Sequence, residues 1–106
     1  MTSVIFEPER CRISISGHAG AGAPGEDLIC AGLSALWMAL EKRLTADRVT
    51  VRRFQPVIIY GEGYRSAECC PGEENFEGCM EALETVAAGL RWMAEEYPEH
   101  VSFEEW

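Results

Sequence analysis

Residues 17–30 read GHAGAGAPGEDLIC, a stretch that places a histidine and a cysteine at the two ends of one short loop. Cys30 is a candidate nucleophile, and His18 is a candidate base that could take the proton from its thiol. An activated cysteine and histidine are the pair that acyl transfer requires. The same spacing also fits a cysteine packed beside a helix and a solvated turn histidine, so spacing alone leaves both interpretations open.

The glycines of this loop also match a dinucleotide-binding pattern. Gly20, Gly22 and Gly25 spell GAGAPG between a predicted strand and a predicted helix, as in the G-x-G-x-x-G fingerprint. Pro24 removes a backbone donor that phosphate binding would use, and 106 residues are too few for the doubly wound sheet to which the motif belongs. We therefore expect these glycines to form a flexible loop rather than a nucleotide site.

The residues after the loop predict a helix whose first turn contains Cys30. Acidic residues at 26–27 can cap a helix, and apolar residues recur at helical spacing to about residue 44. The unpaired amides and the dipole of a first turn favour a thiolate. In projection, Asp27, Cys30 and Ser34 share one border of the apolar stripe. Ser34 could hydrogen-bond to the sulfur or to a substrate, and Asp27 could orient an imidazole.

The elements that must position these residues predict an α+β fold in the order ββαββαβ. Two hairpins and two helices favour a mostly antiparallel sheet against which both helices pack. We expect a break between the third and fourth strands at Gln55-Pro56 and a polar, cysteine-bearing loop over 66–75. The predicted strands are 3–6, 11–17, 48–54, 57–64 and 100–104, and the predicted helices are about 27–44 and 75–97.

Length and composition fit one domain over residues 1–106 with no linker. Apolar residues make up 47% and charged residues 25% of the chain, which is typical of globular proteins. No apolar run approaches the roughly 20 residues that cross a bilayer, so no membrane association is expected. The first residues lack a basic start followed by an apolar core, and the expected location is the cytoplasm.

The net charge of −9 is concentrated in the second half of the chain. Residues 1–61 have seven basic and six acidic groups, whereas residues 62–106 have two basic and twelve acidic groups. Such a surface repels nucleic-acid phosphates and favours basic partners, and it fits a solvated helix face equally well. We therefore expect no direct contact with nucleic acid.

The five cysteines predict neither a disulfide framework nor a metal site. Their number is odd, and a reducing compartment keeps thiols reduced. Cys69, Cys70 and Cys79 form a local cluster, but a zinc site that joined this cluster to His100 would lack the paired C-x-x-C knuckle. We expect small hydrophobic residues or surface thiols here, and neither a metal nor a cofactor.

Two segments resemble the ribosomal-processing cysteine protease family (Prp). GHA, the glycine-containing loop and DLICAGLSAL are similar to the family's GHA and D-x-V-C-A-x-x-S pattern, and LRWMAEEYPEHVSF is similar to its closing helix and strand. The resemblance implies that His18 is the catalytic histidine and Cys30 the nucleophile. Asp27 and Ser34 match the other polar positions of the pattern.

The resemblance also implies a homodimeric, metal-free α+β cysteine endopeptidase. Its expected substrate is the precursor of large-subunit ribosomal protein twenty-seven, from which it would remove an N-terminal extension in support of ribosome assembly. Two alternatives are a noncatalytic, ribosome-associated binding module and a diverged relative with another substrate. The cysteine cluster at 69–79 lies outside the family pattern and leaves open an altered edge of the fold or an altered target.

Overall fold

The computed structural model describes residues 1–17, 28–45, 51–59, 62–72, 74 and 76–106. The order of elements is ββαββαβ with a short 3-10 turn after the first strand, which confirms the predicted α+β class. The elements are β1 (Thr2–Glu7), β2 (Arg12–Gly17), α1 (Leu28–Thr45), β3 (Val51–Ile59), β4 (Glu62–Cys69), α2 (Phe76–Glu96) and β5 (Val101–Glu105).

The five strands form one sheet in the order β3-β4-β2-β1-β5. All neighbours are antiparallel except β1 and β5, which are parallel. In the first hairpin, the register runs from Glu7 opposite Arg12 to Thr2 opposite Gly17. β2 is the central strand of the sheet and ends at Gly17. His18 is therefore the residue that directly follows the central strand in the sequence.

The predicted break at Gln55-Pro56 is wrong. β3 continues through both residues, and Pro56 lies opposite Arg65 of β4. A proline is tolerated because β3 is an edge strand, whose outer side needs no backbone donor. The loop predicted from residue 66 is also wrong at its start, since Ser66 pairs with Ser14 in β2 and β4 extends to Cys69. The connection between the two strands falls at residues 60–61, outside the described part of the chain.

The hydrophobic core lies between one face of the sheet and the two helices. The predicted stripe of α1 is buried at four positions, spaced by four, three and four residues, as a helix with one apolar face requires. These positions are Leu33, Trp37, Leu40 and Leu44. They belong to the same cluster as Leu83 and Leu90 of α2 and the inward residues Val4 and Ile13 of the central hairpin.

One polar network ties α1 to the sheet at the edge of this core. The carboxylate of Glu41 accepts a hydrogen bond from the indole Nε1 of Trp37 at 3.0 Å. The same carboxylate forms an ion pair with the Arg65 guanidinium of β4 at 3.1 Å, and both charged side chains are only 18% exposed. Since a charge-assisted hydrogen bond is stronger when water is largely excluded, this network helps to fix how α1 lies on the sheet.

Replacement of Glu41 by glutamine is expected to lower the free energy of unfolding by about 1–2 kcal/mol. The amide oxygen can still accept from Trp37, but Arg65 loses its counterion in a partly buried place. Urea unfolding measures the change. Glu105→Gln is the matched control, because its 2.6 Å pair with Arg91 is about half exposed, and it should cost less than about 1 kcal/mol. Equal losses in the two variants would contradict this account of the network.

Candidate active site

The candidate nucleophile lies in the first turn of α1. Cys30 is the third residue of the helix, and its side chain is half-buried against the hydrophobic core. The first N–H groups of a helix have no acceptor within the helix, and they form the positive end of its dipole. A thiol in this place has apolar packing on one side and hydrogen-bond donors nearby, and such donors can stabilise an oxyanion that forms beside the sulfur.

Ser34 lies one helical turn after Cys30 on the same helix, and its side chain is exposed. The two residues therefore follow the border between the buried stripe and solvent, where the helical projection placed them. The remaining predicted site residues lie outside the described residues, and they are His18, Gly20, Gly22, Gly25 and Asp27.

The backbone just before His18 is tightly constrained. Gly17 has a φ of +91°, in the region that L-residues with a side chain rarely adopt. A Cβ at this position would overlap the carbonyl oxygen of Met1, which lies beside the end of β2. Gly17 is therefore required on two counts, and it sets the direction in which the chain leaves the sheet. In the sequence, this requirement is visible only as a glycine directly before the candidate base. The contact with Met1 cannot be predicted from the sequence, because it depends on the register of the hairpin.

Close packing against α2 holds the nucleophile-bearing turn in place. A Cβ on Gly32 would lie 3.2 Å from Cε of Met93, and a Cβ on Gly89 would lie 3.1 Å from a methyl group of Leu36. These contacts show that the two helices are antiparallel and that their backbones approach closely. The start of α1 is thus packed against the last turns of α2. The sequence predicts a helix over about 75–97 that contains Met93, but it does not show that Met93 lies beside the start of α1.

The prediction that the cysteine cluster consists of reduced thiols is wrong for two of its members. Cys69 and Cys79 form a disulfide with their Cα atoms 6.2 Å apart, and both residues are fully buried. Cys11, Cys30 and Cys70 lie outside this bond. The prediction failed because the fourth strand was expected to end before residue 66. A loop that starts at residue 66 would place Cys69 away from the core, whereas β4 extends to Cys69.

The described residues contain neither a metal-binding cluster nor a membrane-spanning helix. Within them, no group of three or more histidine, cysteine, aspartate or glutamate side chains could hold a metal ion. Neither described helix has the length and hydrophobicity that a membrane crossing needs.

Comparison with known families decides the class of protein. The sequence profile of the cysteine protease Prp family matches residues 1–102. The chain belongs to the cysteine protease Prp family. This membership confirms the resemblance found in the sequence, and it makes the protein a cysteine peptidase. A comparison with curated proteins gives no match.

Solved structures share the fold of this Prp family member. The ribosomal processing protease Prp from S. aureus, in complex with a covalently linked product peptide, has a TM-score of 0.80 at 20% identity and full coverage of both chains. The same S. aureus protease with a substrate peptide has a TM-score of 0.75 at 20% identity, again with full coverage of both chains. SMU.848 from Streptococcus mutans has a TM-score of 0.73 at 28% identity, covering 98% of this chain and 90% of its own.

Proposed function

We propose that this Prp family member is an endopeptidase in which Cys30 is the nucleophile and His18 is the base. The observation that carries the proposal is the position of Cys30, half-buried in the first turn of α1 within a chain that matches a cysteine protease family. His18 directly follows the central strand, whose end is fixed by Gly17. At about 3.3–3.6 Å for each extended residue, the eleven residues between His18 and Cys30 are enough to bring the base to the sulfur.

The proposed reaction has two steps. His18 takes the thiol proton, and the sulfur of Cys30 attacks the scissile carbonyl carbon to form a tetrahedral oxyanion. The carbon–nitrogen bond then breaks, the amine leaves with the proton from His18, and a thioester remains on the enzyme. Water hydrolyses the thioester and restores the thiol. Amide groups of the first turn of α1 are suitable donors for the oxyanion.

Asp27 and Ser34 are assigned supporting roles on either side of the nucleophile. Asp27 directly precedes α1, where its carboxylate could orient the imidazole of His18. Ser34 is exposed one turn after Cys30, so its hydroxyl can contact a bound peptide. The glycines at 20, 22 and 25 allow the loop to change conformation when the substrate binds.

We propose the precursor of large-subunit ribosomal protein twenty-seven as the substrate, cleaved at its N-terminal extension in the cytoplasm by a homodimer. Support comes from the S. aureus relative, a ribosomal processing protease that has been seen with both a substrate and a product peptide. The acidic second half of the chain also suits a cationic ribosomal protein as partner.

Incubation of purified protein with the extended precursor, followed by mass spectrometry, tests the proposal. Wild type should release the extension, and His18→Ala should lower kcat by about 1,000-fold because the thiol loses its base. His100→Ala is the matched control, since the chain has only two histidines, and it should retain activity within a few-fold. An intact precursor would contradict the substrate, whereas equal activity of the two histidine variants would contradict the role of His18.

A further inference from the structure

The disulfide joins two elements that form opposite sides of the core. Cys69 is the last residue of β4, and Cys79 is the fourth residue of α2. Their separation in sequence is 10 residues, and their Cα distance of 6.2 Å is within the range of native disulfides. Both side chains belong to the core cluster. We refer to this bond as the β4–α2 clasp.

The clasp and the nucleophile lie at opposite ends of the helix pair. A Cβ on Gly78 would lie 3.2 Å from the guanidinium of Arg43, so the start of α2 packs beside the end of α1. At 1.5 Å per residue, Arg43 is roughly 20 Å along α1 from Cys30. The clasp therefore lies far beyond the reach of the Cys30 sulfur.

Cys11 and Cys70 lie at the same end of the helix pair as the clasp. The backbone N–H of Cys69 donates to the carbonyl oxygen of Cys11 at 2.9 Å, and Cys70 directly follows Cys69 in the chain. Cys30 is thus separated from all four remaining cysteines. An oxidant that is present while the protein folds can close the clasp, but no other cysteine of the chain lies close enough in the fold to form a disulfide with Cys30.

We propose that the clasp is a redox-controlled stabilising bond that forms while Cys30 remains a thiol. The co-reactant is a low-molecular-weight disulfide of the glutathione class. During folding, before the pair is buried, one cysteine thiolate attacks this disulfide and releases one small thiol, and the second cysteine then attacks the mixed disulfide and releases the other. Two protein thiols are oxidised and one small disulfide is reduced to two thiols. A mixed disulfide at Cys30 has no such second cysteine, so excess small thiol reverses it.

The clasp gives the oxidised protein a stability that does not depend on the proposed activity. Closing the loop between residues 69 and 79 restricts the unfolded chain. Burial protects the bond from reductants, because thiol–disulfide exchange needs access to a sulfur atom. Half-buried Cys30 is reached more easily. Mild thiol concentrations should therefore keep the nucleophile reduced and leave the clasp closed.

Alkylation and thermal unfolding test the clasp. Protein refolded in a mixed glutathione buffer is then unfolded in iodoacetamide and mapped by mass spectrometry. We expect label on Cys11, Cys30 and Cys70, and a cross-linked peptide that contains Cys69 and Cys79. The Tm of this protein should exceed that of fully reduced protein by roughly 10 °C. Alkylation of both Cys69 and Cys79 in the glutathione-treated protein would overturn the proposal.

Two variants distinguish the effect of the disulfide on Tm from the effect of side-chain packing at residues 69 and 79. Cys69→Ala should lose the Tm difference between oxidised and reduced samples, whatever its absolute Tm. Cys70→Ser is the matched control next to it, and it should retain the full difference. If Cys69→Ala still responds to reductant as wild type does, or if Cys70→Ser loses the response, the bond between Cys69 and Cys79 is not the origin of the effect and the proposal fails.

Discussion

Replacement of Cys30 by alanine should lower kcat for peptide cleavage by at least about 1,000-fold while the protein stays folded. The sulfur is the proposed nucleophile, and no other group of the first turn of α1 can take its place: Leu28 and Ile29 are hydrocarbon side chains, and Ser34 is one turn away. The fold tolerates the change because Cys30 is half-buried. Single-turnover cleavage of the extended precursor and circular dichroism measure the two quantities.

Cys70→Ala is the control for Cys30→Ala. Cys70 is also half-buried and outside the disulfide, but it lies at the far end of the helix pair. Its replacement should leave kcat within about two-fold of wild type. An irreversible peptide electrophile should likewise label wild type and Cys70→Ala but not Cys30→Ala. Cleavage by Cys30→Ala at a rate near that of wild type would show that the nucleophile is elsewhere.

The elements predicted best are those whose side chains repeat with a clear period. In β2, Ile13 and Ile15 alternate with polar residues, and the strand forms as expected. In α1, the spacing of Leu33, Trp37 and Leu40 marks the buried face directly, because the helix lies on a single core. The position of Cys30 follows from the same helix, since its start fixes which residues fall in the first turn.

The features that were missed depend on partners far away in sequence. Pro56 normally argues against a strand, and only its place on an edge strand makes it acceptable. Cys69 and Cys79 are recognised as a pair only when β4 is known to reach residue 69 and α2 to begin close to it. The family resemblance could not supply this pairing, because the cysteine cluster lies outside the family pattern.

Gly17→Ala should be the most disruptive single-methyl change near the site. The positive φ should cost about 1–2 kcal/mol for any L-residue, and overlap of the new Cβ with the Met1 carbonyl oxygen should add about 1–3 kcal/mol. Relief of the overlap must move either the N-terminal residue or the end of β2, and the second movement displaces His18. We therefore expect a loss of about 2–5 kcal/mol in the free energy of unfolding.

Activity measurements separate the positioning role of Gly17 from simple loss of fold. Well below the Tm of Gly17→Ala, kcat should fall by about 10–100-fold, since a small displacement of a base is costly, while KM changes by only a few-fold. Gly72→Ala is the matched control. Gly72 has a φ of +88° with open space where a Cβ would lie, so the alanine variant should lose only the backbone cost of about 1–2 kcal/mol and keep its kcat. If both variants lose the same stability and neither loses kcat, the contact with Met1 does not position His18.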